Sequence, residues 1–261
     1  MICSICLSKT SLIKTLSKPF PKEKFFCSIK KFKKKIFKCL NCEHHYIQSY
    51  DYKKSSYIYK FSYDNLAYGN IKKKFDVINS LKKKESSNFY RKKFILKNFK
   101  FGKQKKLLDF GSGLGIFPSS IRNNYDVFFY DINKNCINFS KKKLKLNFFN
   151  IKNKNAKNIF HYITCNKVLE HLNINDIKKN LIFFKKILKK NGKIYLELPN
   201  AAASKKGYNR QEFFSEHINI FSRKSLRIFL KNLSFEIIKI KSLIEVNDKY
   251  TLRIILRNKL N

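Results

Sequence analysis

Residues 101–261 alternate between short apolar runs and longer segments whose apolar residues recur at helical spacing. Short continuous apolar runs are typical of buried strands, and an apolar residue every three or four positions is typical of an amphipathic helix. The pattern predicts strands near 105–110, 125–130, 145–149, 159–165, 193–198, 235–241 and 250–256. It predicts helices near 115–123, 133–143, 174–190 and 222–232, with Gly192 as a helix stop and Ser222 as an N-cap.

Strands that alternate with helices predict an α/β fold, in which helices cover both faces of a parallel sheet. Only a short link joins the last two strands, so we expect an antiparallel hairpin at one edge of the sheet. Residues 64–99 have apolar residues at helical spacing and are expected to be helical, whereas residues 46–63 are rich in tyrosine. The whole 46–99 segment is a candidate lid over a pocket.

The first predicted strand of this region ends in Asp109 and a glycine-rich turn that contains Gly111, Gly113 and Gly115. Glycines at alternate positions let the backbone approach a ligand without Cβ clashes, and the N–H groups of such a turn face whatever binds there. A second acidic residue, Asp131, ends the next predicted strand about 20 residues further on. Ligands of open α/β sheets bind at the carboxyl ends of the strands, where both aspartates are expected.

This ordered set of strand, loop, helix, strand and acid resembles the first two motifs of class I S-adenosylmethionine-dependent methyltransferases. The resemblance implies a Rossmann-like seven-stranded sheet whose last strand is antiparallel. It implies that Asp109 and the three glycines hold the methionine part of the cofactor, and that Asp131 accepts hydrogen bonds from both ribose hydroxyls. The family often has an aspartate that contacts adenine after the third strand, where this chain has Asn150 or Asn153. A solvated aspartate in an ordinary β–α turn is the alternative interpretation.

After the fourth predicted strand, the segment from Asn166 to Glu170 and His171 resembles the Glu-His segment of small-molecule methyltransferases. In that family the loop closes over the cofactor, which implies cofactor-side roles for Asn166 and Glu170; helix capping and packing are the alternative. The Asn/Asp-Pro-Pro-aromatic motif of methyltransferases that modify adenine or glutamine amino groups is missing. Cys165 lacks the neighbouring proline common beside the nucleophile of cytosine-C5 enzymes, which disfavours a nucleophilic role.

The segment after the fifth predicted strand contains Glu216 and His217, followed by an apolar stretch and Ser222. It resembles the Glu-His segment of zinc-ribbon methyltransferases, among them the ketosugar C-methyltransferases of deoxysugar pathways. The resemblance implies that His217 is a general base, which suits an ordinary pKa near 6.5, and that Glu216 orients it or touches the substrate. A histidine that only bonds the start of the Ser222 helix is the alternative. The ketosugar enzymes have a further C-terminal domain beyond the part that this sequence resembles. O-methylation or another C-methylation is therefore equally open.

Two cysteine pairs of identical spacing, Cys3-x-x-Cys6 and Cys39-x-x-Cys42, predict a structural zinc site with four thiolate ligands. A redox pair would not need the second copy, and replacement of one cysteine by His44 or His45 is a lower-ranked alternative. We expect a β-hairpin between the pairs, from Lys22 to Phe37. The remaining cysteines are interpreted as buried structural residues: Cys27, Cys136 and Cys165. The predicted domains are a zinc ribbon at 1–45, a linker or lid at 46–100 and a methyltransferase domain at 101–261.

The net charge of +41 favours attraction to anions, including RNA and anionic membrane surfaces. Most of the basic residues are lysines, and the residues that dominate the chain have A/T-rich codons, so genome composition and solvated helix faces explain much of the charge. The chain has no apolar run long enough to span a membrane, and its N-terminus lacks the apolar region of a signal peptide. These features favour a cytoplasmic protein.

The sequence as a whole predicts methyl transfer from S-adenosylmethionine to a small acceptor, which the resemblance makes sugar-like or nucleotide-linked. A methyltransferase acting on RNA or protein is the first alternative, supported by the charge and the ribbon. A non-enzymatic scaffold with a decayed cofactor site is the second.

Overall fold

The computed structural model describes residues 1–21, 23, 32–49 and 68–259, which form two β-sheets and the helices around them. The small sheet has the strand order β1-β2-β3-β9, and all its pairings are antiparallel. Its strands are β1 (Thr10–Leu16), β2 (Lys34–Cys39), β3 (His45–Ser49) and β9 (Asn219–Ile220). Because β9 comes from the 101–261 region, the N-terminal ribbon is joined to that region by backbone hydrogen bonds.

The large sheet has seven strands in the order β10-β11-β8-β7-β4-β5-β6. Its strands are β4 (Lys106–Phe110), β5 (Asp126–Tyr130), β6 (Asn147–Phe148), β7 (Phe160–Asn166), β8 (Leu188–Pro199), β10 (Phe235–Ile244) and β11 (Tyr250–Asn258). The pairings from β8 through β7, β4 and β5 to β6 are parallel, and β11 is antiparallel to both β8 and β10. The predicted α/β fold with an antiparallel last strand is confirmed.

The helices have the bounds α1 (Ile71–Asn79), α2 (Ser87–Asn98), α3 (Ile116–Ile121), α4 (Lys134–Lys142), α5 (Ile174–Ile187) and α6 (Arg223–Asn232). Ser222 caps α6 as predicted, because its side chain accepts a hydrogen bond from the Ser225 N–H. Among the described residues, none of the helices has the length and apolarity that a membrane crossing needs.

The predicted end of the helix near residue 190 is wrong by about one turn. The α5 helix ends at Ile187, and Leu188 already pairs with Phe160 in the sheet. Leu188 is buried, so its apolar side chain contributes to the sheet core instead of to the helix. Between Leu188 and Lys193 the register of β8 against β7 shifts, and Asn191 in this irregularity has a φ of +63°, beside the predicted stop at Gly192.

The predicted helix over 64–99 is divided in its described part. Asn70 caps α1 and Ser86 caps α2, and a 3₁₀ turn at Lys83–Glu85 separates the two helices. Each cap side chain accepts a backbone N–H three residues later, which fixes a new helix start. Residues 50–67, which include most of the tyrosine-rich stretch, lie outside the described residues.

The ribbon pairs differently from the expected Lys22–Phe37 hairpin, since β2 pairs with β1 from Thr10 to Leu16. Residues 22 and 24–31 of that expected hairpin lie outside the described residues. The β3 strand pairs with β2 along one edge and with β9 along the other, where His45 lies opposite Ile220. An apolar cluster between the two regions holds the ribbon in place, and its members are Ile36, Ile47, Ala201, Ala203, Phe213 and Ile220.

Candidate functional site

A cavity of about 760 Å³ lies at the carboxyl ends of the central parallel strands. The last residues of β4, β5 and β7 line it: Phe110, Tyr130 and Asn166. Residues of the helical segment before the sheet, including Ile78 and Arg91, line it as well. The cavity therefore lies where ligands of open α/β sheets bind, and the 68–98 segment covers part of it.

The glycine loop after β4 has a left-handed backbone at its three glycines. Gly111, Gly113 and Gly115 have φ of +77°, +51° and +73°. A Cβ at Gly111 would lie 2.3 Å from Cγ2 of Val168, so a side chain does not fit there. Gly111 and Gly113 line the cavity, and Gly115 is the N-cap of α3 directly behind it. The loop thus lets a ligand come close to its backbone, next to the start of a helix.

Asp131 lies on the cavity wall just after β5, and backbone N–H groups hold its carboxylate. The N–H of Gly113 donates to Oδ2 at 2.7 Å and the N–H of Asn133 donates to Oδ1 at 2.9 Å. Burial raises the pKa of Asp131. Each carboxylate oxygen has two lone pairs, so both oxygens retain the capacity to accept another hydrogen bond. The geometry suits a ligand with two neighbouring hydroxyl donors.

Asp109 is 2% exposed at the end of β4 and also lines the cavity. The Thr164 hydroxyl and the Asn166 amide donate to its Oδ1 at 2.6 and 2.8 Å. Burial raises the pKa of Asp109 to about 6, although these donors act in the opposite direction. A carboxylate held in this way is suited to a cationic ligand group, which would favour its charged form.

Asn150 is placed away from the cavity lining. Its side-chain oxygen accepts a hydrogen bond from the Lys152 N–H at 3.0 Å, and the side chain is exposed. Asn153 makes the same kind of local turn with Asn155. The neighbouring Ile151 lines the cavity instead, together with Ile132. The wall in this part of the cavity is apolar, a surface that suits a flat aromatic ring.

Glu170, His171 and His217 form a compact group, called here the mixed cluster. Their potential ligand atoms all lie within 4.8 Å of one another. Glu170 and His171 belong to a 3₁₀ turn after β7, and His217 lies just before β9. The Ile218 N–H donates to the Glu170 carbonyl at 2.7 Å and joins the two segments. Of the mixed cluster, His171 lines the cavity, whereas the predicted site residues Glu170 and His217 are not among its lining residues.

Burial determines the protonation of the mixed cluster and of the neighbouring Glu216. It raises the pKa of Glu170 to about 8 and that of Glu216 to about 7. It lowers the pKa of His171 to about 4, and burial together with the nearby His171 lowers the pKa of His217 well below its usual range. Both imidazoles are therefore neutral at pH 7 and have a lone pair for a proton or a cation.

A buried ion pair under the ribbon supports the segment that contains Glu216 and His217. Lys34 Nζ lies 2.7 Å from Oε1 of Glu23, and both side chains are fully buried. Lys34 also donates to the Phe213 carbonyl at 3.0 Å, and the Ser215 N–H donates to Glu23. Sequence patterns did not reveal this pair, which links the ribbon to the predicted catalytic segment.

Glu197 and two arginines form a second buried group that the sequence analysis missed. Glu197 is fully buried near the end of β8 and accepts hydrogen bonds from Arg91, Arg253 and Tyr195. Burial acts to raise the pKa of Glu197, but Arg91 and its other cationic neighbours hold it well below the usual range. Because Arg91 also lines the cavity, this group fixes α2 over the site. The sequence did contain a signal for this buried group, namely charged residues inside the apolar runs of β8 and β11.

Cys165 lies inside β7 and is 1% exposed. Burial raises the pKa of its thiol well above the usual value, and the nearby Glu170 acts in the same direction. A protonated, buried thiol is a poor nucleophile, which agrees with the structural role predicted for it. Cys136 is also buried, and Cys27 lies outside the described residues.

Cys3, Cys6, Cys39 and Cys42 come together at one end of the ribbon. Their sulfur atoms all lie within 4.8 Å of one another, with Cys3 Sγ 3.6 Å from Cys42 Sγ and Cys6 Sγ 3.4 Å from Cys39 Sγ. Four sulfurs around a tetrahedral zinc ion are about 3.8 Å apart. The four-cysteine cluster is therefore compatible with zinc, in a closed site with no position for a substrate.

The neighbouring histidines are engaged elsewhere. His44 Nε2 lies 3.1 Å from Asn219 Oδ1, and His45 Nε2 lies 3.3 Å from the Tyr208 hydroxyl. Both contacts join the ribbon to the 200–222 segment. These interactions favour a set of four cysteines over the alternative in which a histidine replaces one of them.

Comparison with known proteins places this site in a family. The profile of the methyltransferase-domain family matches residues 84–240, which is more than half of the chain. A search of curated proteins found no match.

Solved structures with a similar fold come from distant relatives. One chain of the complex of the Haloferax volcanii Trm112 methyltransferase activator with a methyltransferase has a TM-score of 0.54 and 14% identity, and the match covers 70% of this chain and 96% of that one. A SAM-dependent methyltransferase from Archaeoglobus fulgidus has a TM-score of 0.52 and 18% identity, with coverages of 67% and 96%. One from Leishmania major has a TM-score of 0.53 and 14% identity, with coverages of 74% and 77%. At such identities these likenesses show the fold, and with the family match they lead to one conclusion: the chain belongs to the methyltransferase-domain family and is an S-adenosylmethionine-dependent methyltransferase.

Proposed function

We propose that the cavity at the strand ends binds S-adenosylmethionine and that the protein methylates a small, sugar-like molecule there. The observation that carries this proposal is the pair of aspartates on the wall of one cavity beside a glycine loop, with Asp109 buried and Asp131 half-buried. Asp109 and Gly111, Gly113 and Gly115 hold the methionine part, and Asp131 accepts the ribose hydroxyls. The apolar wall at Ile151, not the side chain of Asn150, faces the adenine.

Bound S-adenosylmethionine supplies a methyl group on a positively charged sulfur, which is already activated for transfer. The acceptor forms a bond to the methyl carbon while the carbon–sulfur bond breaks, and that electron pair stays on the sulfur. The protein aligns the two reactants, which is the main contribution such a site can make. We assign cofactor-side roles to Asn166, which lines the cavity at the end of β7, and to Glu170 in the buried turn that follows. The 68–98 segment excludes water as a lid.

The proton of the acceptor goes to His217 in this proposal. Burial lowers the pKa of His217 below the ordinary value expected from the sequence, so the ring is neutral and has a lone pair, but it is a weaker base than a free imidazole. Its Nδ1 lies 3.2 Å from the Glu212 carbonyl, which fixes the tautomer with the lone pair on Nε2. Glu216 acts as a positioning residue, because its carbonyl holds His171 at 2.9 Å beside the His217 ring.

A sugar-like acceptor is supported by amide side chains on the cavity wall, which pair well with hydroxyl groups. The amide side chains on this wall belong to Asn88, Asn133, Asn166, Asn173 and Asn180. The Glu216–His217 segment, which resembles that of ketosugar methyltransferases, supports the same class. The charge of +41 is assigned to non-specific attraction of anions, and it supports the rival in which RNA or protein is the acceptor.

Zinc in the cysteine cluster is the second cofactor that we propose, with a purely structural role. The ribbon that it holds packs on the 200–222 segment and presents Glu23 to Ser215, next to Glu216. Thiolate zinc sites need reduced cysteines, which fits the cytoplasm as the location.

The test is methyl transfer from radiolabelled S-adenosylmethionine into a host lysate that is separated into small-molecule and macromolecular pools. We expect label in the small-molecule pool and a loss of about 100-fold or more in His217→Gln, with cofactor affinity unchanged. The matched control is His161→Gln, a histidine that accepts a hydrogen bond from Lys106 outside the site.

Three outcomes contradict parts of this proposal in different ways. Label in RNA or protein overturns the small acceptor and makes the basic surface functional. Equal activity in His217→Gln overturns the role of His217. Failure of the wild-type protein to bind S-adenosylmethionine by calorimetry would revive the scaffold with a decayed cofactor site.

A further inference from the structure

We propose that the mixed cluster of Glu170, His171 and His217 binds a divalent transition-metal cation at the wall of the cavity. The ligand atoms of the three side chains lie within 4.8 Å of one another. Ligands of one such cation, at about 2.1 Å from it, lie about 3 to 3.5 Å apart. The remaining difference is small enough for side-chain rotation on binding.

The residue types define the kind of cation. Two imidazoles and one carboxylate are typical of first-row divalent metals such as Mn²⁺ and Fe²⁺, and three protein ligands leave open positions for water or a substrate. The cysteine cluster offers only sulfur and closes the tetrahedron by itself. The two clusters are therefore expected to select different metals.

Glu170 supplies the independent observation that points to a missing ligand. Its side chain is fully buried, and neither Oε1 nor Oε2 has a hydrogen-bond partner among the described residues. The other fully buried glutamates, Glu23 and Glu197, accept hydrogen bonds from basic side chains. Buried carboxylates are retained when they are paired or coordinate metals, and the lysine and arginine partners that serve the other two do not reach Glu170.

The two histidines are held in the way that metal-binding imidazoles are held. His171 Nδ1 lies 2.9 Å from the Glu216 carbonyl, and His217 Nδ1 lies 3.2 Å from the Glu212 carbonyl. A carbonyl that accepts from Nδ1 fixes the ring and directs the lone pair to Nε2, the arrangement common around metal ligands. The ring centroids are 4.9 Å apart, so one cation can reach both rings.

A cation here changes one step of the proposed reaction, and the inference rests on that reaction. His171 belongs to the cavity wall, so an open coordination position can take an acceptor oxygen from the cavity. The cation polarises this oxygen and makes its proton easier to lose to water, while His217 holds the cation instead of taking the proton. Acceptors with two neighbouring oxygens, such as a hydroxyl next to a carbonyl, fit two open positions.

The experiment titrates Mn²⁺ into the full-length, zinc-loaded protein and follows free Mn²⁺ by electron paramagnetic resonance. Mn²⁺ prefers oxygen and nitrogen ligands and does not displace zinc from thiolates. We expect one Mn²⁺ per chain, and binding at least about 100-fold weaker in Glu170→Gln, His171→Gln and His217→Gln. Glu236→Gln and His161→Gln remove the same side-chain types outside the cluster and are expected to bind Mn²⁺ normally.

The outcomes separate this inference from the proposed methyl transfer. Absence of Mn²⁺ binding, or equal binding in wild type and the three cluster variants, overturns the cation site. If methyl transfer then still depends on His217 and ignores chelators, the histidine takes the proton directly. Circular dichroism of each variant identifies a fold defect, and a correctly folded Glu170→Gln that binds Mn²⁺ like the wild type is sufficient to reject the site.

Discussion

Two fully buried glutamates, one under the ribbon and one beside the cavity, have opposite surroundings. Glu23 accepts two hydrogen bonds from Lys34 Nζ, at 2.7 and 2.9 Å, and another from the Ser215 N–H. Glu170 has no hydrogen-bond partner among the described residues, and burial raises its pKa to about 8. Burial also raises the pKa of Asp109 on the cavity wall, to about 6.

The difference separates a region that stabilises the fold, the ribbon, from a region that destabilises it, the cavity. Paired charges and the four thiols hold the ribbon on the 200–222 segment. Carboxyl groups with raised pKa at the cavity destabilise the fold without ligand and are typical of functional sites. Altering the ribbon side should therefore lower stability, whereas neutralising a cavity carboxyl group with a raised pKa should raise stability at the expense of function.

The largest effect is expected from Cys39→Ser or from chelation of the ribbon metal. Structural zinc contributes about 10 kcal/mol or more of binding free energy, so the ribbon should unfold. Hydrogen exchange should lose protection in β2 and β3 and retain it in β4. Cys136→Ser, which changes a buried cysteine outside the cluster, is the control. Equal protection of β2 with and without metal would show that the ribbon does not depend on it.

Breaking the ion pair tests the paired side of the comparison directly. Glu23→Gln leaves the buried Lys34 charge without its partner and should lower the free energy of unfolding by about 4 kcal/mol. The double variant Glu23→Gln with Lys34→Met should lose less than the two single variants add up to. Urea unfolding of the four proteins measures this coupling, and strictly additive losses would contradict a pair that acts as a unit.

Neutralising Asp109 tests the cavity side. The folded protein keeps this proton up to about pH 6, whereas the unfolded chain loses it near 3.8, so the wild type loses stability between these values. Asp109→Asn should therefore gain up to about 3 kcal/mol above pH 6 and nothing below pH 3.8. Affinity for S-adenosylmethionine should fall about tenfold or more, because a charged hydrogen bond is lost. Thermal unfolding at several pH values and calorimetry test both parts, and a loss of stability at pH 7 would refute the first.

The smallest effect is expected in the glycine loop. Gly111→Ala adds a Cβ 2.3 Å from Val168 to a backbone with φ of +77°, and should cost about 2 kcal/mol. Gly69→Ala has a similar φ of +60° with no atom within 4 Å of the added Cβ, so it should cost only about 1 kcal/mol. Equal losses in the two variants would mean that backbone strain alone, not close packing against the β7 loop, makes Gly111 necessary.

The sequence was sufficient for the sheet because local patterns report local burial. The runs that contain Leu107, Leu108 and Ile163 predicted buried strands, and all three residues are fully buried. The motif order also predicted which loops meet at the strand ends. The end of α5 and the break between α1 and α2 were missed, because capping side chains and the start of a strand outweigh helical periodicity there.

Long-range pairs between charged groups could not be predicted in the same way. Arg91 and Glu197 are 106 positions apart, and no periodicity states which basic residue a buried glutamate will meet. The charges inside the apolar runs of β8 and β11 indicated only that some buried pair exists. Likewise, Glu170 and His217 looked like members of two separate motifs, and only the fold brings them into one cluster.

The pairing of β3 with β9 has a consequence for the order in which a ribosome delivers this chain. Ile36 and Ile47 of the ribbon emerge early, but Phe213 and Ile220, which cover them, follow about 170 residues later. At ordinary translation speeds that interval lasts about 10 to 30 s. During this time an apolar face and an open strand edge are exposed on the nascent chain, so a chaperone that shields β3 is expected to raise the yield of native protein.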